Sequence, residues 1–238
     1  MGGTYGRVGA VIVAAGASTR MGGIDKVMAP LGEHPLIAHP LLTFEGSPLV
    51  DALILVVSAA NLDWARGLVE ALGLAKVRDV CPGGALRQES VRLGLEALGH
   101  CDWVLVHDGA RPFVSPRLLE DALMAAQETG AAVPALPLAD TVKEVDGDAV
   151  VRTLDRSRLR AVQTPQAFRY DLLLEAHRRA SGEVTDDASL VEAMGITVKV
   201  FPGSPYNLKV TTPADLELAR ALLAAGALEH DAQHRHRL

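Results

Sequence analysis

Short apolar runs alternate with segments of helical periodicity along the first half of this chain, and that alternation restricts the folds open to it. The runs at 8–13, 51–57, 76–80, 102–107 and 130–135 are too short to cross a membrane and read as buried strands. Between them, 62–72, 86–98 and 116–129 space their apolar residues three and four apart, as one face of a helix requires. Asn61 and Ser115 stand where N-caps belong, and Pro116 suits a first helical position. Repeated strand–helix units predict an α/β architecture, a mostly parallel sheet with helices on both faces.

The rhythm breaks between about 137 and 160. Two alternating stretches flank Asp146-Gly147, a hairpin turn signal, in a segment too polar for a core. It reads as an arm projecting from the sheet, and its unsatisfied flanks point to a second copy of the chain as partner. Beyond it come helices near 170–181 and 186–194, a strand at 196–201 and a helix from Pro213 to about Ala225. The expected organisation is one domain over 1–225, with 137–160 as its arm and 226–238 as a polar tail. The three histidines of the tail read as a solvated end, because no second ligand set accompanies them.

A formal charge of −6 argues against nucleic acid as the main partner. Lysine occurs only at 26, 76, 143, 199 and 209. Cys81 and Cys101 form no CxxC pair and are expected as buried free thiols. Neither a secretory leader nor an apolar run of membrane length is visible, so the expectation is a cytoplasmic protein with no membrane partner.

Open α/β sheets bind ligands at the carboxyl ends of their strands. There the run 8–13 enters the loop AAGASTRMGG, which carries Arg20 and is followed by Lys26. Small residues allow close backbone approach, and N–H groups with two cations suit a triphosphate. The segment CPGGALRQESV brings Gly83-Gly84 for approach to a flat base, then Arg87 and Ser90, whose hydroxyl can read a base edge. In VLVHDGARPFV an apolar strand ends at His107-Asp108, and Asp108 suits Mg²⁺, which takes one or two carboxylates and completes its shell with water and phosphate. His107 either orients Asp108 or simply ends the strand. Asp186 and Asp187 in TDDAS have the spacing of an ordinary helix start. Lys209, in a strand-like stretch before a Pro-started helix, can meet a phosphoryl oxygen if it faces the cleft.

In this order, AAGASTRMGG…K, GGALRQESV, HDGARP, ADTVK, LDRSRLRAVQTPQAF, TDDAS and NLKVTTPADL resemble the 2-C-methyl-D-erythritol 4-phosphate cytidylyltransferases of non-mevalonate isoprenoid biosynthesis. The resemblance runs from about Val8 to Leu222. It implies a Rossmann-like nucleotidyltransferase fold, a homodimer, Mg²⁺, and transfer of CMP from CTP to methylerythritol 4-phosphate with release of pyrophosphate. It also implies roles. Ala14, Ala15, Gly16 and Gly109 would contact the nucleotide, and Gly84 and Ser90 would read cytosine. Arg20 and Lys26 would grip the triphosphate, Lys209 would stabilise charge at the α-phosphorus, and Asp108 would bind Mg²⁺. Arg111, Thr141, Arg156 and Thr164 would recognise the acceptor, Arg156 from the other subunit's arm. The chain departs from the family pattern at Asp25, Val27-Met28 and Ala85. A cytidylyltransferase for another polyol phosphate, such as ribitol 5-phosphate, is the nearest alternative. A nicotinamide-dependent dehydrogenase would want G-x-G-x-x-G in the first loop, which has a single Gly, then Arg and a Gly pair.

Overall fold

The computed structural model describes residues 5–16, 26–180 and 182–226. The elements run β1 (Val8–Ala14), β2 (Pro30–Leu31), β3 (His34–Pro35), α1 (Ala38–Gly46), β4 (Ala52–Val57), α2 (Leu62–Ala71), β5 (Val77–Pro82), α3 (Arg87–Leu98), β6 (Trp103–Asp108), α4 (Pro116–Ala126) and β7 (Ala131–Pro137). The second half adds β8 (Lys143–Asp146), β9 (Ala149–Thr153), β10 (Arg160–Val162), β11 (Gln166–Arg169), α5 (Tyr170–Arg179), α6 (Asp187–Glu192), β12 (Lys199–Pro202) and α7 (Pro213–Ala224).

The main sheet runs β5–β4–β1–β6–β11–β7, with β10 and β12 both pairing β7. The pairs β1–β4, β1–β6, β4–β5 and β7–β12 are parallel. The expected parallel order is interrupted by β11, which lies antiparallel between β6 and β7. Its four residues follow the arm, too short a run to announce a strand by periodicity.

Side chains alternate across the pleat of β1, so Ala10 and Ile12 point to one face and Val11 to the other. The first face packs on α1, α2 and α4 through Phe44, Ala65 and Leu119. The second packs on α3, α5 and α6 through Leu95, Leu173 and Val191. A third cluster joins α7 to the β2–β3 hairpin through Leu216, Ala219, Leu31 and Phe113. Periodicity does not announce α1, because Pro40, Leu41 and Phe44 are all buried and leave no clear polar stripe.

Ser115 caps α4 by accepting the Leu118 N–H, with Pro116 behind it. Asn61 occupies the N-cap of α2, but its side chain makes no capping hydrogen bond. β8 and β9 form the expected hairpin, with Gly147 at φ 55°, where a side chain would be strained. Both cysteines are free, Cys101 buried and Cys81 only half-buried. Among the described residues no helix is long and apolar enough to cross a membrane.

Candidate active site

Parallel register brings the strand ends level. Val13 of β1 lies opposite Asp108 of β6, and Val57 of β4 opposite Pro82 of β5. The following loops are stitched back to those ends: Gly109 N–H donates to Val13 C=O and Gly83 N–H to Val57 C=O, both at 2.8 Å. Between the loops opens a cavity of about 380 Å³. Ala14, Ala15, Gly16 and Lys26 line one side, and Gly84 and Ser90 the other.

The glycine pair serves packing within the protein. A Cβ on Gly83 would strike Ala15 and Ser90, and one on Gly84 would strike Glu89. Ser90 Oγ accepts the Gly84 N–H at 3.1 Å and donates to Leu86 C=O at 3.2 Å. Glu89 accepts the Ala85 and Leu86 N–H groups at 2.8 and 3.2 Å. At Ala85, where the chain departs from the family pattern, the bond that shapes the loop is made by the backbone N–H and not by the side chain. Val27 is buried in the core, and Ile37 N–H donates to its carbonyl at 3.1 Å, so the departure at 27 falls on a core position.

Asp108 is 7% exposed and meets three cations. Lys209 Nζ lies 2.8 Å away, Arg87 Nε 3.2 Å and Arg111 Nε 3.8 Å. Burial opposes its charge, but Arg87 and Lys209 hold the carboxyl well below the usual carboxylate range. Behind it, His107 Nε2–H donates to the Arg111 carbonyl at 3.2 Å, which leaves Nδ1 to accept from the Thr164 hydroxyl at 3.1 Å. That hydroxyl accepts the Asp108 N–H at 3.0 Å. Burial pushes His107 down to about 4, so at neutral pH it is an uncharged strut. It fixes the backbone of Asp108 through Thr164.

Lys209 lies in a loop, not in a strand. Hydrogen bonds fix that loop where no ladder does. Val210 N–H donates to Ala110 C=O at 2.8 Å, Arg111 Nη1 to Asn207 C=O at 2.8 Å, and Asn207 Nδ2 to Thr164 C=O at 2.7 Å. Gln163 Nε2 adds a bond to Ser204 C=O at 3.0 Å.

A second cavity of about 500 Å³ adjoins the first. Arg111, Arg160, Thr164, Gln166, Asp186 and Ser189 line it, together with Arg87, Asp108 and Lys209, which line both cavities. The candidates Ala14, Ala15, Gly16, Lys26, Gly84, Ser90, Asp108, Arg111, Thr164 and Lys209 are thus brought together. Gly109 lines neither cavity and packs against Ile37 and Ala14. Thr141 and Arg156 stand exposed on the arm, with Arg156 Nη1 donating to Ala139 C=O. Arg20, Asp25 and the tail histidines lie outside the described residues. Arg87, noted in the sequence without a role, carries much of the geometry together with Gln163 and Asn207, two loop amides that have no distinctive spacing.

Among the described residues no three His, Cys, Asp or Glu side chains gather as a metal site. Asp108 supplies one ionised oxygen donor between the cavities. That fits Mg²⁺ brought in by a phosphate ligand, since the ion takes few protein carboxylates and fills its shell with phosphate oxygens and water.

The sequence profile of the family described as 2-C-methyl-D-erythritol 4-phosphate cytidylyltransferase matches residues 8–225. A protein of that name from Dehalococcoides mccartyi is 51% identical over 221 residues, covering 92% of this chain and 97% of the relative. The crystal structure of a 4-diphosphocytidyl-2C-methyl-D-erythritol synthase from Anaerococcus prevotii superposes with a TM-score of 0.81 at 31% identity, covering 92% of this chain and 96% of that one. The crystal structure of a 2-C-methyl-D-erythritol 4-phosphate cytidylyltransferase from Thermus thermophilus gives 0.74 at 38%, covering 90% and 98%.

Proposed function

We propose, from the chain's belonging to the 2-C-methyl-D-erythritol 4-phosphate cytidylyltransferase family, that it transfers CMP from CTP to methylerythritol 4-phosphate across its two adjoining cavities. CTP occupies the cavity at Lys26, Gly84 and Ser90, and the acceptor the one at Arg111 and Thr164. The observation that carries the reading is the shared wall: Arg87, Asp108 and Lys209 line both cavities, so two phosphate-bearing substrates meet there.

The acceptor phosphate is already a nucleophile, so no strong base is needed. One of its oxygens bonds to the α-phosphorus of CTP, the bond to the bridging oxygen breaks, and pyrophosphate leaves with that electron pair. Lys209 stabilises the charge on the α-phosphoryl group and Lys26 that on the leaving pyrophosphate; family resemblance adds Arg20 to Lys26. Asp108 would hold Mg²⁺, which would supply neutralisation of phosphate charge there. The domain ends near residue 225, Thr141 contributes to acceptor recognition, and the arm of a second copy supplies Arg156 to the acceptor cavity. The enzyme works in the cytoplasm.

Pyrophosphate release from CTP is expected only when methylerythritol 4-phosphate and Mg²⁺ are both present. Equal or faster release with ribitol 5-phosphate would move the assignment to that acceptor, and release without any acceptor would refute transfer.

A further inference from the structure

Arg87 is stretched between two carboxylates. Its Nε lies 3.2 Å from Asp108 and its Nη1 2.7 Å from Asp187. Asp187 lines neither cavity, and its side chain is fully buried at 0% exposure. Its other oxygen is 3.3 Å from Nε2 of the buried His177 on α5.

Helix formation does not explain this acid. The neighbouring Asp186 already caps α6, accepting the Ser189 N–H at 3.2 Å. A second acid at the helix start would gain the same dipole stabilisation from the surface, whereas burial of a carboxylate is unfavourable unless it is paired. The two adjacent aspartates therefore do different things, the first closing a helix and the second aimed inward at an arginine 100 residues away in sequence.

A guanidinium is a rigid fork, so bonds at Nε and Nη1 in two directions fix its plane. Among the described residues Nη2 has no hydrogen-bond partner, and Arg87 lines both cavities. We propose that Asp187, backed by His177, is a positioning residue: it braces Arg87 as a strut at the junction, so that Arg87 holds Asp108 in place and offers Nη2 to a phosphate group of the reacting substrates. Without that brace a long, flexible arginine folds back onto Asp108 or turns to solvent, and the junction loses its fixed cation. The inference rests on the transferase reading above.

The test is a double-mutant cycle between Asp187→Asn and Arg87→Ala, read as kcat and KM well below the melting temperature. Asp187→Asn is expected to lower kcat/KM by about tenfold or more, mainly in kcat, and to change it by less than about twofold once Arg87 is Ala. A purely structural role for Asp187 would lower the melting temperature and leave turnover per folded site intact. Unchanged kcat in Asp187→Asn, or an equal loss in both backgrounds, would overturn the proposal. Should Asp187→Asn not fold, His177→Gln takes its place in the cycle with the same two outcomes. Wild-type turnover distinguishes the two failures: its absence removes the transferase reading and the strut with it, whereas an active wild type with an additive cycle removes only the strut.

Discussion

At the junction of the two cavities Asp108 is 7% exposed and ringed by Arg87, Arg111 and Lys209, whereas on the arm Val145, Val150 and Val151 are 58, 60 and 58% exposed. The junction is held by a sheet covered on both faces, and each polar group there is fixed by another: Thr164 by His107, Lys209 by its loop's bonds to Ala110 and Thr164. The arm has a two-stranded ladder of its own and little beneath it. Two-stranded hairpins are marginal alone, and exposed valines on one are surface that another chain can cover. The contrast is that the described junction residues are fixed by bonds within one chain, while Thr141 and Arg156 stand exposed on an arm that the proposed reading docks on a second copy.

The first way to sharpen this contrast is to remove a junction cation. Lys209→Ala is expected to lower kcat by about a hundredfold or more, the scale of losing one transition-state charge contact, with the fold intact by circular dichroism. An unchanged kcat would take Lys209 out of the chemistry.

The second asks whether the junction's order shows in stability. His107 lies at about 4 in the folded chain against 6.5 when unfolded. Between those values the unfolded chain binds the extra proton, so His107's contribution is complete above pH 6.5 and is lost as pH falls toward 4. The unfolding free energy should therefore drop over that window by about 3 kcal/mol more in the wild type than in His107→Gln. Equal slopes would mean that His107 is not the buried neutral strut described.

The third targets the arm. Val150→Asp should change unfolding free energy by less than about 0.5 kcal/mol, because the side chain is already in water. It should nonetheless shift a dimer toward monomer in sedimentation and lower turnover by about tenfold. Unaltered assembly and turnover would make the arm a plain surface hairpin.

The sheet was legible because its strands are buried on both faces: the runs ending at Ala14, Val57 and Asp108 have no wet side to confuse them with helices. Asp108 stood out as a carboxylate closing such a run, and the hairpin through Asp146-Gly147 by turn chemistry. What stayed hidden depends on distant partners. Spacing offered Ser90 as a reader of bases but did not show that its hydroxyl also ties Gly84 to Leu86. Asp187 looked like half of a helix start, and its partner Arg87 lies on a different helix. Local spacing carries periodicity and caps; it does not say which loop a buried hydrogen bond will reach.

The proposal that one chain builds the junction and another lends its arm is tested most directly by complementation. Lys209→Ala and Arg156→Ala protomers, each inactive as homodimers, are mixed and refolded together, and heterodimers are isolated. Each heterodimer then holds one site with both defects and one with neither, so the account predicts that activity returns. Heterodimers that remain inactive would contradict it, because both residues would then have to act within one chain.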